Sequence, residues 1–285
     1  MKKTLLYSLF MLALAFTACE PIENRDSIGG AITPDQLNVT ASPIVVNGKN
    51  GNMVVIENKS AVNPKWLVGS AVSYKAYDTL MIVSTGNIPV TFTGLNADGT
   101  QINKSFTIKI DTLSTLPQEY KYLFGDPAAG VTSKKYVWDE TSDGCWGNGG
   151  YLGNSAPGWW KVHLSDVNGQ DAVYGADGYM VFTLGGLKLT KSNAAGTTKE
   201  TGTVALDLSW VKKDDNGSVW SKGKLNTTNV TVLLGKQPNN ANKPVNSYQI
   251  LKLNDSKLVL AFPEGGDNAG SWSTAWFWMF KTAAN

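Results

Sequence analysis

Residues 203–210 read TVALDLSW, and the alternation of apolar and polar side chains in this stretch indicates the fold class of the chain. Successive side chains of a β-strand point to opposite faces of a sheet. The apolar set that runs from Val204 to Trp210 would therefore share one face, and the set that contains Asp207 would share the other. We expect the apolar face, including Trp210, to lie in a core.

Segments of the same kind recur along the chain, and no window longer than about ten residues has the 3.6-residue period of an amphipathic helix. The pattern predicts an all-β protein. The predicted strands are residues 37–41, 53–60, 65–69, 78–85, 87–96, 104–113, 134–140, 158–164, 178–186, 202–211, 229–235, 247–254, 257–262 and 275–282.

The first six predicted strands fall within residues 32–113, where Asp98-Gly99 is typical of a hairpin turn. About eighty residues of this pattern fit an immunoglobulin-like (Ig-like) sandwich. The run from KWLVG (residues 65–69) to KSFTIKIDTL (residues 104–113) resembles the polycystic-kidney-disease (PKD) type of Ig-like module of bacterial surface proteins. Such modules are mostly spacers, so the resemblance implies no binding site here.

Residues 114–120, with Pro117, read as a linker, and tryptophan use rises sharply after them. Nine of the ten tryptophans follow residue 137. The remaining strands, over residues 121–285, fit a jelly-roll sandwich, with a lipocalin-like barrel as the alternative. Both architectures close or cover their strand edges, and the sequence leaves the choice open.

The N-terminus has the pattern of a secretion signal. The basic residues MKK precede TLLYSLFMLALAF, an apolar run that as a helix is about 20 Å long, too short for a bilayer core of about 30 Å. We therefore predict a signal peptide over residues 1–18. Residues 19–31 are acidic and carry no apolar pattern, so they read as a flexible tether.

The signal ends in LAFTAC, which resembles a bacterial lipobox. This resemblance implies that Cys19 is lipidated, and that the protein is anchored in the outer membrane and faces the extracellular side. The only other cysteine is Cys145. A lipidated Cys19 leaves it without a disulfide partner in the chain, so we expect an unreactive thiol.

The charge and histidine content narrow the function classes. The formal net charge is only +2, which argues against nucleic acid as a partner. His163 is the only histidine, so a site with several histidine ligands is excluded. No phosphate-binding loop or dinucleotide fingerprint is present.

The stretch CWGNGGYLGNSAPGWW (residues 145–160) places three tryptophans among loop-forming residues. In the strand that follows, we predict that Trp160 points into the core, together with Val162 and Leu164. Trp159 would then face solvent. A second segment, PEGGDNAGSWSTAW (residues 263–276), repeats the combination of indoles, carboxylates, amides and glycines.

An exposed indole with amides and glycines around it suits a sugar, because the ring covers the apolar face of the sugar while polar groups bond its hydroxyls. Glycines leave the ring uncovered. The alternative is that these tryptophans form core or a protein interface. The predicted ligand-binding residues are Trp146, Asn148, Tyr151, Trp159, Lys161, His163, Trp272 and Trp276.

Catalytic motifs are missing from the sequence. Glycoside hydrolysis needs two carboxylates about 5–9.5 Å apart, and no E-x-D-x-E type stretch exists. The segment WDETSDG groups Asp139, Glu140 and Asp143, which read as a turn, with a structural Ca²⁺ site as the alternative. We predict that the protein is not an enzyme and that it uses no cofactor.

The whole plan of the chain resembles that of surface glycan-binding lipoproteins of Bacteroidota polysaccharide-utilisation systems. The resemblance is carried by LAFTAC, by the PKD-like segment and by two Trp-rich stretches, residues 136–160 and 275–282. It implies non-catalytic capture of poly- or oligosaccharide beside an outer-membrane glycan transporter. A structural or adhesive surface lipoprotein, and a glycoside hydrolase or lyase of unfamiliar type, are the alternatives.

Overall fold

The structure is a computed structural model, and it describes residues 30–283. The predicted signal peptide, Cys19 and most of the predicted tether lie outside the described residues. In the part of the chain that the structure describes, no helix is long and apolar enough to cross a membrane.

Seven strands form the first unit, as two sheets packed face to face. One sheet has the order β1-β2-β5 and the other the order β4-β3-β6-β7, with all pairs antiparallel. The core between them contains Trp66, whose ring lies edge-on to Phe92 at 4.7 Å between centroids. This is the predicted Ig-like sandwich. The strands are β1 (Val39–Val46), β2 (Lys49–Asn58), β3 (Asn63–Val68), β4 (Ala71–Ser73), β5 (Tyr77–Met81), β6 (Gly86–Leu95) and β7 (Gln101–Ile110).

The connection to the second unit is a helix, α1 (Gln118–Phe124), where the sequence predicted a linker over residues 114–120. Its side chains Tyr120, Leu123 and Phe124 are buried. Phe124 lies edge-on to Phe182, which belongs to the second unit. This seven-residue helix is too short to produce the periodic pattern that reveals a helix in sequence.

The second unit contains twelve further strands and a one-turn helix, α2 (Val167–Gln170). Two of the twelve strands, β15 and β16, form a small separate pair. The strands are β8 (Ser133–Trp138), β9 (Trp146–Gly150), β10 (Trp160–Val162), β11 (Tyr179–Thr183), β12 (Lys188–Ser192), β13 (Lys199–Lys213), β14 (Val219–Thr228), β15 (Lys236–Gln237), β16 (Lys243–Pro244), β17 (Ser247–Leu253), β18 (Lys257–Pro263) and β19 (Thr274–Thr282). Short 3₁₀ turns complete the chain at Pro34–Gln36, Pro127–Ala129, Leu164–Asp166 and Pro238–Asn240.

Eight of these strands close into a barrel. The antiparallel order is β8-β11-β12-β13-β14-β17-β18-β19, and Phe280 of β19 pairs with Trp138 of β8 to complete the ring. When β9, β10 and the β15–β16 pair are left aside, strands adjacent in this ring follow one another along the chain, which is the topology of the predicted alternative, the lipocalin-like barrel. The first-named prediction, the jelly roll, is replaced by this barrel because one strand, β19, pairs along one edge with β18 and along the other with β8.

The first strand of the barrel is interrupted but stays in register. β19 pairs with β8 through Phe280 and with β9 through Trp278, so β8 and β9 run along β19 as one strand with residues 139–145 looped out. Along its other edge, β9 pairs with β10. The prediction of a loop at residues 145–150 is therefore wrong, since residues 146–150 form a strand.

The barrel interior is filled with aromatic side chains, including Trp138, Trp146, Trp276 and Trp278. α1 closes one end, where the Tyr136 hydroxyl donates to the carbonyl of Tyr122 at 2.8 Å. Residues 229–235, predicted as a strand, cover part of the other end instead. Their apolar side chains are buried, and the Leu234 carbonyl accepts a hydrogen bond from Trp278 Nε1 at 3.0 Å.

The strand quoted first, β13, departs from prediction at Trp210. Val204 lies in the core, as its alternation predicts, but the register shifts between Asp207 and Val211. Trp210 is only half-buried, and the Lys224 ammonium lies 4.8 Å from the centre of its ring. A bulge redirects the side chains that follow it, so Trp210 leaves the core face.

Candidate functional site

The predicted site residues converge on β9, β10 and the first half of β19. Trp160, Asn148 and Trp276 pair across these three strands, so their side chains share one face of the sheet. Gly150 and Thr274 pair in the next row, nearer the end of the barrel opposite α1. Glu264 continues that row, because its N–H donates to the Thr274 carbonyl at 3.0 Å.

Trp146 and Trp276 lie beneath this surface as core. Their rings stack at 5.2 Å between centroids, and both side chains are buried. The prediction that Trp146 is open to solvent is wrong, because its segment is a central strand rather than a loop. Its Nε1 atom is buried without a hydrogen-bond partner.

Trp160 is the exposed member of this aromatic group, where the sequence predicted a core residue. It does point to the same side of the sheet as the buried Val162. However, β10 is an edge strand, and the ring lies edge-on to the rings of Trp146 and Trp276, at 5.4 and 5.8 Å between centroids. As a result, 39% of Trp160 is exposed.

Trp159 is 53% exposed and precedes β10 directly. By strand alternation it points away from the face that carries Trp160. Lys161 and His163 are also exposed, and Lys161 forms an ion pair with Asp143. These three predicted ligand residues therefore belong to a different surface from Asn148 and Trp272.

Trp272 is the most unusual residue of the site, because its backbone is left-handed at φ 62° while 58% of the residue is exposed. Bulky residues rarely adopt this conformation. The inner face of its ring lies directly on Gly150 and Gly153. A Cβ at these glycines would lie 2.4 Å from Trp272 Cε3 and 2.6 Å from Trp272 Cε2, respectively.

Two other glycines of β9, Gly147 and Gly149, have no room for a side chain. A Cβ at Gly147 would lie 2.0 Å from the Trp160 carbonyl oxygen. One at Gly149 would lie 2.8 Å from Asn154 Oδ1, which accepts a hydrogen bond from the Gly150 N–H at 2.7 Å. The glycines thus make room for the protein itself to pack against β9, and not only for a ligand.

We call the surface formed by Trp160, Asn148, Trp272, Thr274 and Glu264 the rim. Asn148 is half-buried, and its Oδ1 accepts a hydrogen bond from the Trp160 N–H at 3.2 Å, so its amide NH₂ group remains as a donor. Glu264 Oε1 accepts a hydrogen bond from Trp276 Nε1 at 2.6 Å. The rim therefore combines two open indoles, an amide, a hydroxyl and a carboxylate.

The loop that carries Trp272 is anchored through Asp267. This carboxylate pairs with Lys224 and accepts a hydrogen bond from Gln249 Nε2 at 2.8 Å. Burial raises its pKa, but the bonds from Lys224 and Gln249 outweigh that and hold the pKa below its ordinary value. The loop is thereby fixed to the barrel wall.

Tyr151 is part of this anchor rather than a ligand contact. It is fully buried, against the prediction of an open second ring, and its hydroxyl accepts a hydrogen bond from Gln249 Nε2 at 3.1 Å. Trp220 covers its ring edge-on at 5.1 Å. Tyr151 also supplies the carbonyl that accepts the Trp272 N–H at 2.8 Å.

The acidic group at residues 139–143 is used in ion pairs. Asp139, Glu140 and Asp143 pair with Lys257, Lys281 and Lys161 respectively. The hydrogen bonds from Lys281 and from Lys161 lower the pKa values of Glu140 and Asp143. Within the described range, no three His, Cys, Asp or Glu residues are grouped as metal ligands.

Cys145 is buried at the start of β9, and its burial raises the pKa of the thiol to about 11. Its Sγ donates to the Val162 carbonyl at 3.4 Å. A thiol of this kind stays protonated at neutral pH and is a poor nucleophile.

Sequence reasoning missed Trp160 and Thr274 as surface residues and did not include Glu264 among the ligand contacts. Their proximity depends on the pairing of β9 with both β10 and β19. Only one signal in the sequence bears on this pairing. Gly150 and Gly153 belong to a glycine-rich stretch that contains tryptophans, which indicates close packing against a ring. Nothing in the sequence indicates that this ring is Trp272, more than a hundred residues away.

No protein-family model matches the chain, and no curated protein matches it. Among solved structures, the chain is similar to one described as "Structural basis for the promiscuous specificity of the carbohydrate-binding modules from the beta-sandwich super family". The identity is 12%, the alignment covers 90% of this chain and 94% of that one, and the TM-score is 0.23. A likeness at that score supports no statement about the ligand or the residues of this chain.

Proposed function

We propose that the protein binds poly- or oligosaccharide without catalysis, through the rim. The observation that carries the proposal is Trp272. A bulky residue in a left-handed backbone costs on the order of 1–3 kcal/mol, and here it holds an indole on the surface instead of in a core. Strain that the rest of the structure must offset is typical of ligand-contacting positions.

The chemistry of the rim supports a sugar as ligand. The Trp272 ring lies against Gly150 and Gly153, and 58% of the residue is exposed, so a large part of the indole is open to a stacking ligand. A pyranose offers an apolar C–H face to such a ring and a border of hydroxyls. Asn148, Thr274 and Glu264 supply donors and acceptors for those hydroxyls.

Two observations support a binding role rather than hydrolysis. Only two carboxylates, Glu264 and Asp267, occur in the segments that build the rim, residues 146–160 and 262–278. Asp267 is held ionised by Lys224 and Gln249, so it is unsuited to protonating a leaving group. Glu264 is left without the second functional carboxyl group that glycoside hydrolysis needs.

The cellular setting is proposed from the sequence alone. The lipobox-like LAFTAC supports lipidation at Cys19 and an outer-membrane anchor with the protein outside the cell. The Ig-like unit, for which we retain the PKD-type interpretation, would act as a spacer. In this setting the protein would serve a polysaccharide-utilisation system and deliver glycan to an outer-membrane transporter.

A structural or adhesive surface protein is the second candidate, and one observation favours it. Trp138, Trp146, Trp276 and Trp278 are all buried in the barrel core, which is the use of tryptophan that this candidate requires. It gives no reason, however, for the exposed and strained Trp272.

The test is a titration of the chain from residue 20 onward, which contains every described residue, against a panel of neutral and acidic polysaccharides. Binding is followed by isothermal titration calorimetry, with a reducing-end assay on the same samples. We expect binding without new reducing ends, and loss of binding when Trp160 and Trp272 are both changed to Ala. Tyr74→Ala, an exposed aromatic residue on the Ig-like unit, is the matched control.

Three outcomes would count against the proposal. New reducing ends would identify an enzyme. Silence across the whole panel would favour the structural candidate. Loss of binding in Trp159→Ala, with Trp272→Ala unaffected, would move the site to the opposite surface that carries Lys161 and His163. Incorporation of labelled fatty acid that disappears in Cys19→Ser tests the lipid anchor separately.

A further inference from the structure

The segments that build the rim carry negative charge and no positive charge. The two segments that build it, residues 146–160 and 262–278, contain no lysine and no arginine. Their only charged residues are Glu264 and Asp267. Asp267 is paired with Lys224, so Glu264 is the charge that remains for a ligand to meet.

Glu264 is placed to meet that ligand. It lies in the same row as Thr274 and Gly150, on which the Trp272 ring rests. Trp276 Nε1 bonds one of its carboxylate oxygens, Oε1, and this bond fixes the side chain over the buried indole. The side chain is half-buried, and Oε2 is left as an acceptor.

The lysines that contact the segments around the rim are engaged with other groups. Lys224 pairs with Asp267, and Lys212 Nζ donates to the Asp267 carbonyl at 2.8 Å. Lys236 Nζ donates to the Gln170 carbonyl at 2.8 Å and lies 5.9 Å from the ring centre of Trp146, one row deeper in the barrel than Asn148. Lys161 points to the opposite face of β10 and pairs with Asp143. In the described part of the chain, none of these ammonium groups forms an ion pair with Glu264.

We infer that the rim selects uncharged glycans and rejects those that carry uronate or sulfate groups, with Glu264 as the residue that sets this selectivity. The inference rests on the proposed function. A neutral sugar gives Oε2 a hydroxyl donor, and hydrogen bonds to a charged acceptor are the stronger kind. An acidic sugar brings a like charge to the same oxygen, and the surrounding ammonium groups are already bound to other partners.

The test uses two ligands that share one backbone: a neutral β-glucan oligosaccharide and the same oligosaccharide oxidised at C6 to the uronate. If the panel identifies another neutral glycan, that glycan and its oxidised form replace the pair. We expect the neutral form to bind at least about tenfold more tightly than the oxidised form in low salt, and the ratio to shrink as salt screens the repulsion.

Glu264→Gln removes the charge and keeps an oxygen that can accept from Trp276 Nε1. We expect this variant to bind the oxidised glycan nearly as well as the neutral one. Glu57→Gln, which removes one negative charge from the Ig-like unit, is the matched control and should preserve the ratio of the intact chain. Thermal unfolding of each variant checks that the fold is retained.

The outcomes separate this inference from the function beneath it. Equal binding of both ligands by the intact chain, or preference for the uronate, overturns the charge selectivity while glycan binding stands. Selectivity that survives in a folded Glu264→Gln also overturns it. If the variant does not fold, the affinity ratio in the intact chain still decides. Binding of no glycan overturns the proposed function and this inference together.

Discussion

Trp272→Ala is the change that addresses the rim most directly. A tryptophan side chain offers about 150–250 Å², and 58% of Trp272 is exposed, which leaves about 140 Å² of the upper value. A sugar stacked on the open face would cover about half of it, roughly 70 Å². At about 25 cal/mol per Å² this contact is worth about 1.8 kcal/mol, or about a 20-fold weaker Kd in the variant.

The fold should tolerate this change, because Trp272 is 58% exposed and is not among the buried core side chains. The measurement is the Kd by isothermal titration calorimetry, with the melting temperature of the same sample. Trp159→Ala is the control: this residue is 53% exposed but points to the other face. A change of less than about twofold in Trp272→Ala, or a larger loss in Trp159→Ala, would refute the reasoning.

Three further predictions test the architecture around the rim. Gly153→Ala places a Cβ 2.6 Å from the Trp272 ring; we expect the ring to be displaced and binding to weaken with little change in melting temperature, and unchanged affinity would show that the glycine contact does not set the ring's position. Trp146→Ala removes a buried, stacked indole, so we expect the free energy of unfolding in urea to fall by about 3–5 kcal/mol; a loss below about 1 kcal/mol would contradict its placement in the core. Burial raises the pKa of Asp139, but the hydrogen bonds from Lys257 and the neighbouring hydroxyls outweigh burial and hold the pKa below its ordinary value. The stability that this carboxylate contributes is therefore present above its unfolded-state pKa and is lost as pH falls below about 4. Asp139→Asn should flatten the fall of melting temperature in that range, and an unchanged profile would count against the ion pair.

Local alternation revealed the fold class, but long-range pairing determined the architecture. The Val204 to Leu208 pattern reflects chemistry within one strand, which any reader of the sequence can see. The choice between jelly roll and barrel depends on the pairing of Phe280 with Trp138, two residues far apart in the chain. Nothing in either segment alone encodes that contact.

The site was predictable in composition but not in arrangement. Glycines normally predict a turn, yet Gly147 and Gly149 lie in a strand. These positions are glycine because neighbouring backbone and side chains approach too closely for a Cβ. Because residues 146–150 were interpreted as a loop, Trp146 was predicted to be exposed and Trp160 to be buried, whereas the structure has the reverse. Residues 229–235 were predicted as a strand but form a segment that covers one end of the barrel. An apolar segment of this kind has the same composition as a strand.

The position of α1 has a consequence for how the protein would meet a large, immobile substrate. Val83 of the Ig-like unit and Leu116 of the connecting segment join the aromatic core of the barrel, and α1 closes that same end, whereas the rim lies at the other end of β19. The Ig-like unit and the barrel therefore share one hydrophobic core, and this packing restricts their movement relative to each other. In the anchored setting that we propose, capture of a surface glycan would depend on how closely neighbouring molecules stand and on the reach of the predicted tether, residues 19–31.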